Sequence, residues 1–230
     1  EICVANSTLS FQDYLECRLF NLTVELFYNN AIFDELYKYL KRIGLTISPL
    51  IANIHSVFRS CGGPLKEIRE DFLRETQELW NSLEELEDFL RDPLEIEKYL
   101  SGDMGNNEQV IYRTRAVFLH MDELHLIAFN EARKMLEDKG LSDDRSTAYL
   151  EELREVSLLR KKDALSVEPA SVKKFRFDFV RLHEEGYNSD PESHFEEDGV
   201  NIEFGHSKAQ QDLINKYTGQ YGTSEKSLGY

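Results

Sequence analysis

The longest apolar pattern near the start of the chain is FQDYLECRLFNLTVELFYNN, and it follows Ser10, a residue type suited to capping a helix. On a helical wheel of about 3.6 residues per turn, Leu15, Leu19, Leu22 and Leu26 fall on one side, and Phe20, Val24 and Phe27 widen the apolar arc past half the circle. A helix this apolar is mostly buried. What remains is one narrow polar stripe: Tyr14, Arg18, Asn21, Glu25 and Tyr28 or Asn29. Polar groups on such a helix must face water, pair with each other or line a cavity or an interface. Arg18 and Glu25 sit two turns apart, so each needs a partner from elsewhere. Arg18, Asn21, Glu25 and Tyr28 are therefore the candidate substrate-contact or domain-interface residues.

Helical signals continue along the chain. Asn29–Asn30 should break or bend the first helix, and a second run continues to Ile43, with Gly44 as its C-cap. Ser48–Pro49 reads as N-cap and first residue of a helix reaching Ser60. Cys61–Gly62–Gly63–Pro64 is a stop and turn. A long acidic helix is expected from Leu65 to Arg91, carrying Ile68, Phe72, Leu79, Leu83, Leu86 and Leu90 near helical spacing. Asp92–Pro93 opens a shorter one ending near Ser101–Gly102. Gln109 to Lys139 reads as one long helix closed by Gly140, and Ser142 starts another to about Lys162.

After Glu168–Pro169 the period changes. In KFRFDFV, Phe175, Phe177 and Phe179 alternate with Arg176, Asp178 and Val180, the two-residue period of a strand with one buried face. VNIEF, residues 200–204, is a second strand, and helical spacing returns from Ser207 to Tyr217. The fold class expected is mainly α: a helical body of about six helices, Ser10 to Lys162, with a small α+β C-terminal tail of two strands. The domains are set at 1–168 and 169–230. The strands should pair antiparallel and either pack on a helix or extend another sheet, since two strands alone are marginal.

Composition narrows the function classes. The formal charge is −16 over 230 residues, which repels phosphate backbones and anionic lipid, so neither nucleic acid nor membrane is expected as a partner. Cys3, Cys17 and Cys61 are odd in number and scattered, so they form neither a disulfide framework nor a metal knuckle. That favours a reducing, cytoplasmic setting. The chain opens on Glu1 and closes in a Gly/Ser-rich stretch, and both ends read as cut from something longer.

Catalytic motifs are missing. Asp122 and His125 share a helix face, but a di-iron site needs a second such pair and further carboxylates, and the chain has none. His55, His183 and His194 have no ligand-spaced neighbours. No GxSxG elbow, Walker loop or GxGxxG is present. Cys61–Gly62–Gly63 reads as a helix-ending turn. From Glu67 to Glu97 twelve carboxylates face three arginines, without the DxDxDG loop that calcium requires. This is a solvated face or a surface for a basic partner.

Three segments carry a resemblance: TLSFQDYLECRLFNLTVELFYNNAIFDELYKYLK, KFRFDF, and NIEFGHSKAQQDLINKYTGQYGTSEKSLG. Together they cover about a third of the chain, and they resemble the region C-terminal to the catalytic barrel in cobalamin-binding radical S-adenosylmethionine (SAM) proteins. The resemblance implies a parent with a cobalamin-binding domain, a radical SAM barrel and then this helical region. The parent would hold a 4Fe-4S cluster, SAM and cobalamin. The present chain has neither CxxxCxxC nor DxHxxG, so no cofactor is assigned to it. Its partner would be the upstream barrel of the same polypeptide, with Arg18, Glu25 and Tyr28 facing it and the chain helping to shape the substrate site. The readings from other classes are a free-standing acidic helical interaction module and a metal-carboxylate enzyme.

Overall fold

Ser10 opens the first helix. Its hydroxyl accepts the N–H of Asp13, and the Asp13 carboxylate accepts the N–H of Ser10, so two otherwise free donors are satisfied reciprocally. In the computed structural model, which describes residues 5–80, 82–101, 107–162, 164–166 and 168–223, this helix is α1 (Phe11–Val24), with Leu15, Leu19 and Leu22 buried. Its helical run ends at the asparagine pair, as expected, after a change of pitch. Glu25–Asn29 widens into a π turn, and the asparagines stabilise the widening with their side chains. Asn29 donates to the Glu25 carboxylate at 2.7 Å, and Asn30 donates to the Glu25 carbonyl at 2.6 Å. The buried Tyr37 hydroxyl donates to the Phe27 carbonyl.

α2 (Asp34–Arg42) ends where Gly44 adopts a φ of 82°, which lets Leu45 N–H bond back to the Leu40 carbonyl. α3 (Ile47–Ser60) starts at Thr46 rather than Ser48, so Pro49 lies in the first turn, where N–H groups have no helical acceptor anyway. The Cys61–Gly63 turn leads to α4 (Pro64–Gln77).

Two of the expected long helices each prove to be two, which corrects the count of about six. The described residues of the body hold nine α-helices. The acidic helix stops at Gln77 and resumes as α5 (Leu83–Phe89), capped by Ser82 accepting the N–H of Glu85. Between them Trp80 turns to lie 4.5 Å from the Phe89 ring. α6 (Pro93–Leu100) follows, capped by Asp92. The second expected helix breaks at His120 (φ −134°, ψ 34°) into α7 (Glu108–Leu119) and α8 (Met121–Asp138). No proline or glycine marks this point. The bend lets α7 pack on α1 and α4 while α8 packs on α3 and on α9 (Asp144–Lys161).

In the tail, β1 (Ser171–Phe177) and β2 (Phe195–Phe204) pair antiparallel, Ser171 opposite Phe204 and Phe175 opposite Val200, with an irregularity before Phe177. Phe175 and Phe177 face inward as the alternation requires. Phe179 is also buried, but it begins a short helix, α10 (Phe179–Glu184), because the Asp178 carboxylate caps the N–H groups of Val180 and Arg181. A single 3-10 turn, Pro191–His194, leads directly into β2, which begins at Phe195, five residues before the expected start at Val200. α11 (Lys208–Tyr221) starts from a reciprocal Ser207–Gln210 cap. At the entry to it, a Cβ on Gly205 would lie 2.8 Å from that of Ala170, so any other residue at this crossing would push the Ala170 segment aside.

The hairpin rests on α9. Glu152 accepts the N–H groups of Arg176 and Phe177 at the irregular end of β1. Tyr149 lies 5.1 Å from Phe177 and 5.7 Å from Phe179 on one side, and 4.8 Å from Tyr39 of α2 on another. One apolar cluster therefore runs from Leu19, Phe33, Ile54 and Phe72 through Leu124 and Tyr149 to Phe177 and Ile202. Side chains on both sides of the 168/169 boundary belong to it.

Phe177→Ala should lower stability by about 3–5 kcal/mol, the usual effect of truncating a fully buried phenylalanine. Urea unfolding followed by helical circular dichroism measures it, and a single transition is expected because hairpin and body share the cluster. Leu94→Ala, at a position 66% exposed, should stay within about 0.5 kcal/mol.

Candidate functional site

The buried ridge of α1 fixes where its polar stripe goes: to the border of the helix, under α7. There the Arg18 guanidinium meets the Glu108 carboxylate at 2.7 Å and lies 5.4 Å from the Phe72 ring. Its Nε is buried with no hydrogen-bond partner among the described residues. One oxygen of Glu25 is 3.6 Å from Arg113 of α7, and the other accepts from Asn29 in the π turn. Asn21 and Tyr28 are exposed, with the Tyr28 ring 5.8 Å from Tyr37. The stripe therefore divides. Arg18 and Glu25 are partly buried and paired within the chain, whereas Asn21 and Tyr28 face solvent.

α7 extends the seam toward α4. The Tyr112 hydroxyl donates to Glu75 at 2.6 Å, and Arg115 lies 3.4 Å from Asp71. Burial, then the Glu75 carboxylate, push the Tyr112 phenol up. This arrangement clamps three helices. It contains no nucleophile beside a base.

The remaining candidates are accounted for by local partners. Asp122 pairs with Lys162 at 2.7 Å, while His125 turns inward, so the two do not converge on a common point. His55 meets Thr23 at 2.8 Å, and His194 meets Glu185 and Ser189, each at 3.1 Å. Burial pushes the Cys61 thiol up, with Arg69 partly opposing, which is the reverse of an activated thiolate. Cys17 is exposed on α1, and Cys3 lies outside the described residues.

A buried polar chain joins α2, α8 and α9 and has no counterpart in any sequence pattern. Lys161 donates to the Glu35 carboxylate, to the Ile32 carbonyl and, at 2.9 Å, to the Ser157 hydroxyl. Ser157 is 2.8 Å from His125 Nε2, and His125 Nδ1 is 2.9 Å from the Met121 carbonyl. A carbonyl only accepts, so Nδ1 carries the proton, Nε2 accepts, and the Ser157 hydroxyl donates to it. Burial pushes the imidazole down to about 4, which keeps it neutral near pH 7. Ser157 and His125 are each 1% exposed, and His125 lies at the edge of a groove of about 680 Å³ between α8 and α9. The polar chain ties the helices together.

Open space gathers beside the tail. A groove of about 600 Å³ lies between α9, α10 and the β2–α11 junction, lined among others by Arg160, Phe179, His183, Phe204, His206 and Gln210. Arg160 holds one wall, donating to the Tyr187 hydroxyl at 3.1 Å and lying 3.3 Å from His183 Nε2.

Comparison with family models, with curated proteins and with solved structures finds no match for this chain. Among the described residues no three His, Cys, Asp or Glu side chains are grouped to hold a metal ion, and the sequence lacks both ligand loops. Among the described residues no helix is long and apolar enough to cross a membrane.

Two measurements check this geometry. A double-mutant cycle of Arg18→Leu and Glu108→Gln should give a coupling of about 1 kcal/mol, as for a partly shielded ion pair. Acid should also weaken the fold through His125. Its ordinary value is 6.5 and its folded value about 4, so between these pH values the unfolded chain binds more protons. Stability should therefore fall as pH drops from 6.5 toward about 4, by at most roughly 3 kcal/mol. The neighbouring charges are Lys161, Glu35 and Asp122. Urea midpoints at successive pH values read the slope, which should flatten in His125→Gln.

Proposed function

We propose that this chain is the C-terminal accessory region of a cobalamin-binding radical SAM enzyme. It is not catalytic by itself: it caps the open end of the barrel and shapes the substrate site. One observation carries the reading beyond the resemblance itself. The first and second resembling segments lie more than 130 residues apart yet meet on one helix, and the third pairs with the second. Tyr39 from the first segment and Phe177 and Phe179 from the second all contact Tyr149 of α9. The third is joined through Ile202 in the same cluster and Phe204 at 6.0 Å from Phe175. Segments held as one unit can be retained as one unit.

In this reading Arg18 and Glu25 brace α1 against α7, and Asn21 and Tyr28 are the stripe residues left to meet the barrel. The groove between α9 and the β2–α11 junction, to whose walls the second segment gives Phe179 and the third gives Ile202 to His206 and Gln210, is the surface offered toward the substrate. Cluster, SAM and cobalamin are bound upstream by the barrel and the cobalamin domain of the same cytoplasmic polypeptide, which supply the radical chemistry.

The test is the full reading frame and its product. A CxxxCxxC loop should stand within the preceding few hundred residues. The whole polypeptide, purified without oxygen, should show iron–sulfur and cobalamin absorption. A frame that lacks the cysteine loop overturns the proposal.

A further inference from the structure

Between α4 and α7 the chain forms an arm, described at residues 78–80 and 82–101, in which no residue of α5 or α6 is buried. It is nevertheless rich in large apolar side chains. Leu83 is 69% exposed, Leu94 66% and Leu100 83%, and Leu79, Trp80, Leu90, Ile96 and Tyr99 are exposed as well. Their spacing is ordered. Leu83, Leu86 and Leu90 recur on one face of α5 and its cap, and Ile96, Tyr99 and Leu100 on one face of α6. Phe89 links the two, with its ring 4.5 Å from Trp80 and 6.4 Å from Tyr99. An exposed apolar surface of this kind marks an interaction site.

Charge decides what it fits. Residues 78–101 carry eight carboxylates against Arg91 and Lys98, and both cations are already held within the arm, Arg91 by Asp88 and Lys98 by Glu95. A second copy of the chain would bring the same carboxylates face to face, and an anionic bilayer would be repelled. We propose that the arm is a docking face for a basic amphipathic helix of another protein. That helix lays an apolar stripe at i, i+3, i+4 and i+7 along the Trp80–Phe89–Tyr99 ridge and sets its lysines or arginines against the flanking carboxylates. This face stands whether or not a catalytic barrel precedes the chain.

Trp80 is the single tryptophan of the sequence, so its emission reports on the arm alone. The probe is a synthetic peptide of repeated Leu-Lys-Lys-Leu-Leu-Lys-Leu heptads, titrated into the full chain. A saturable blue shift of Trp80 is expected. It should weaken at least about tenfold in 1 M salt, where the screening length shrinks to roughly 3 Å. It should be lost in the Leu83→Ser, Leu94→Ser, Leu100→Ser triple variant, whose urea midpoint should match the parent because these positions are exposed. Glu84→Gln with Glu97→Gln should weaken binding without abolishing it. Four results overturn the proposal: no shift with the peptide; an equal shift with a scrambled peptide of the same composition; self-association of the chain on sedimentation that the triple variant abolishes; or a Trp80 shift on anionic phosphatidylserine vesicles that the triple variant abolishes.

Discussion

Leu15, Leu19, Leu22, Leu26 and Phe27 form an apolar ridge on the first helix that has nowhere to go except inside, and α3, α4 and α7 close around it. Each fully buried side chain of this size is worth roughly 1.5–3 kcal/mol relative to exposure, whereas a partly exposed ion pair contributes about 1 kcal/mol or less. Burial therefore decides where α1 sits, and the Arg18–Glu108 and Glu25–Arg113 pairs decide only how its border is finished. The same ranking explains why the polar stripe is narrow. A wider one would have to be matched by more charges on α7 and α4 at the expense of the ridge.

The parts of this fold that were legible in the sequence are those written in neighbouring residues. Ser10, Gly44, Gly140 and Ser207 act through backbone groups a few positions away, and each falls at or next to an observed helix end. The Phe175–Phe177 alternation needs only its own strand. Less was legible where the competing signal was also local but weaker. Ser82 with Glu85 is a cap that apolar spacing read through, and Asp178 caps α10 just where Phe179 would have continued the strand. The bend at His120 has no local signal; it follows from α7 and α8 serving different neighbours. The site divides the same way. That Arg18 and Glu25 needed partners was visible from the helical wheel. Which partners was not, because Glu108 lies 90 positions from Arg18 and Lys161 lies 126 from Glu35.

The buried chain from Glu35 to His125 and the ring contacts of Tyr149 place two different demands on α9. The first is polar and directional: each donor has one acceptor, and an unmatched group there would carry its full desolvation penalty. The second is apolar and tolerant of small shifts. Having both on one helix fixes its rotation by hydrogen bonding and its depth by packing, so the hairpin and the helical body are referred to a common axis.

The π turn at Glu25–Asn29 has a consequence for how the chain leaves the helix. A turn that holds an extra residue resets the angular phase of everything after it, by about 100° for each residue inserted in a helix of 3.6 residues per turn. Leu26 and Phe27 nevertheless point inward and Tyr28 outward, the faces a regular wheel also gives them, because the helix ends at Asn30 before any offset can spread. What the wide turn does fix is the exit of the chain: Asn29 and Asn30 both bind back to Glu25, so the same residue that meets Arg113 also closes the helix end.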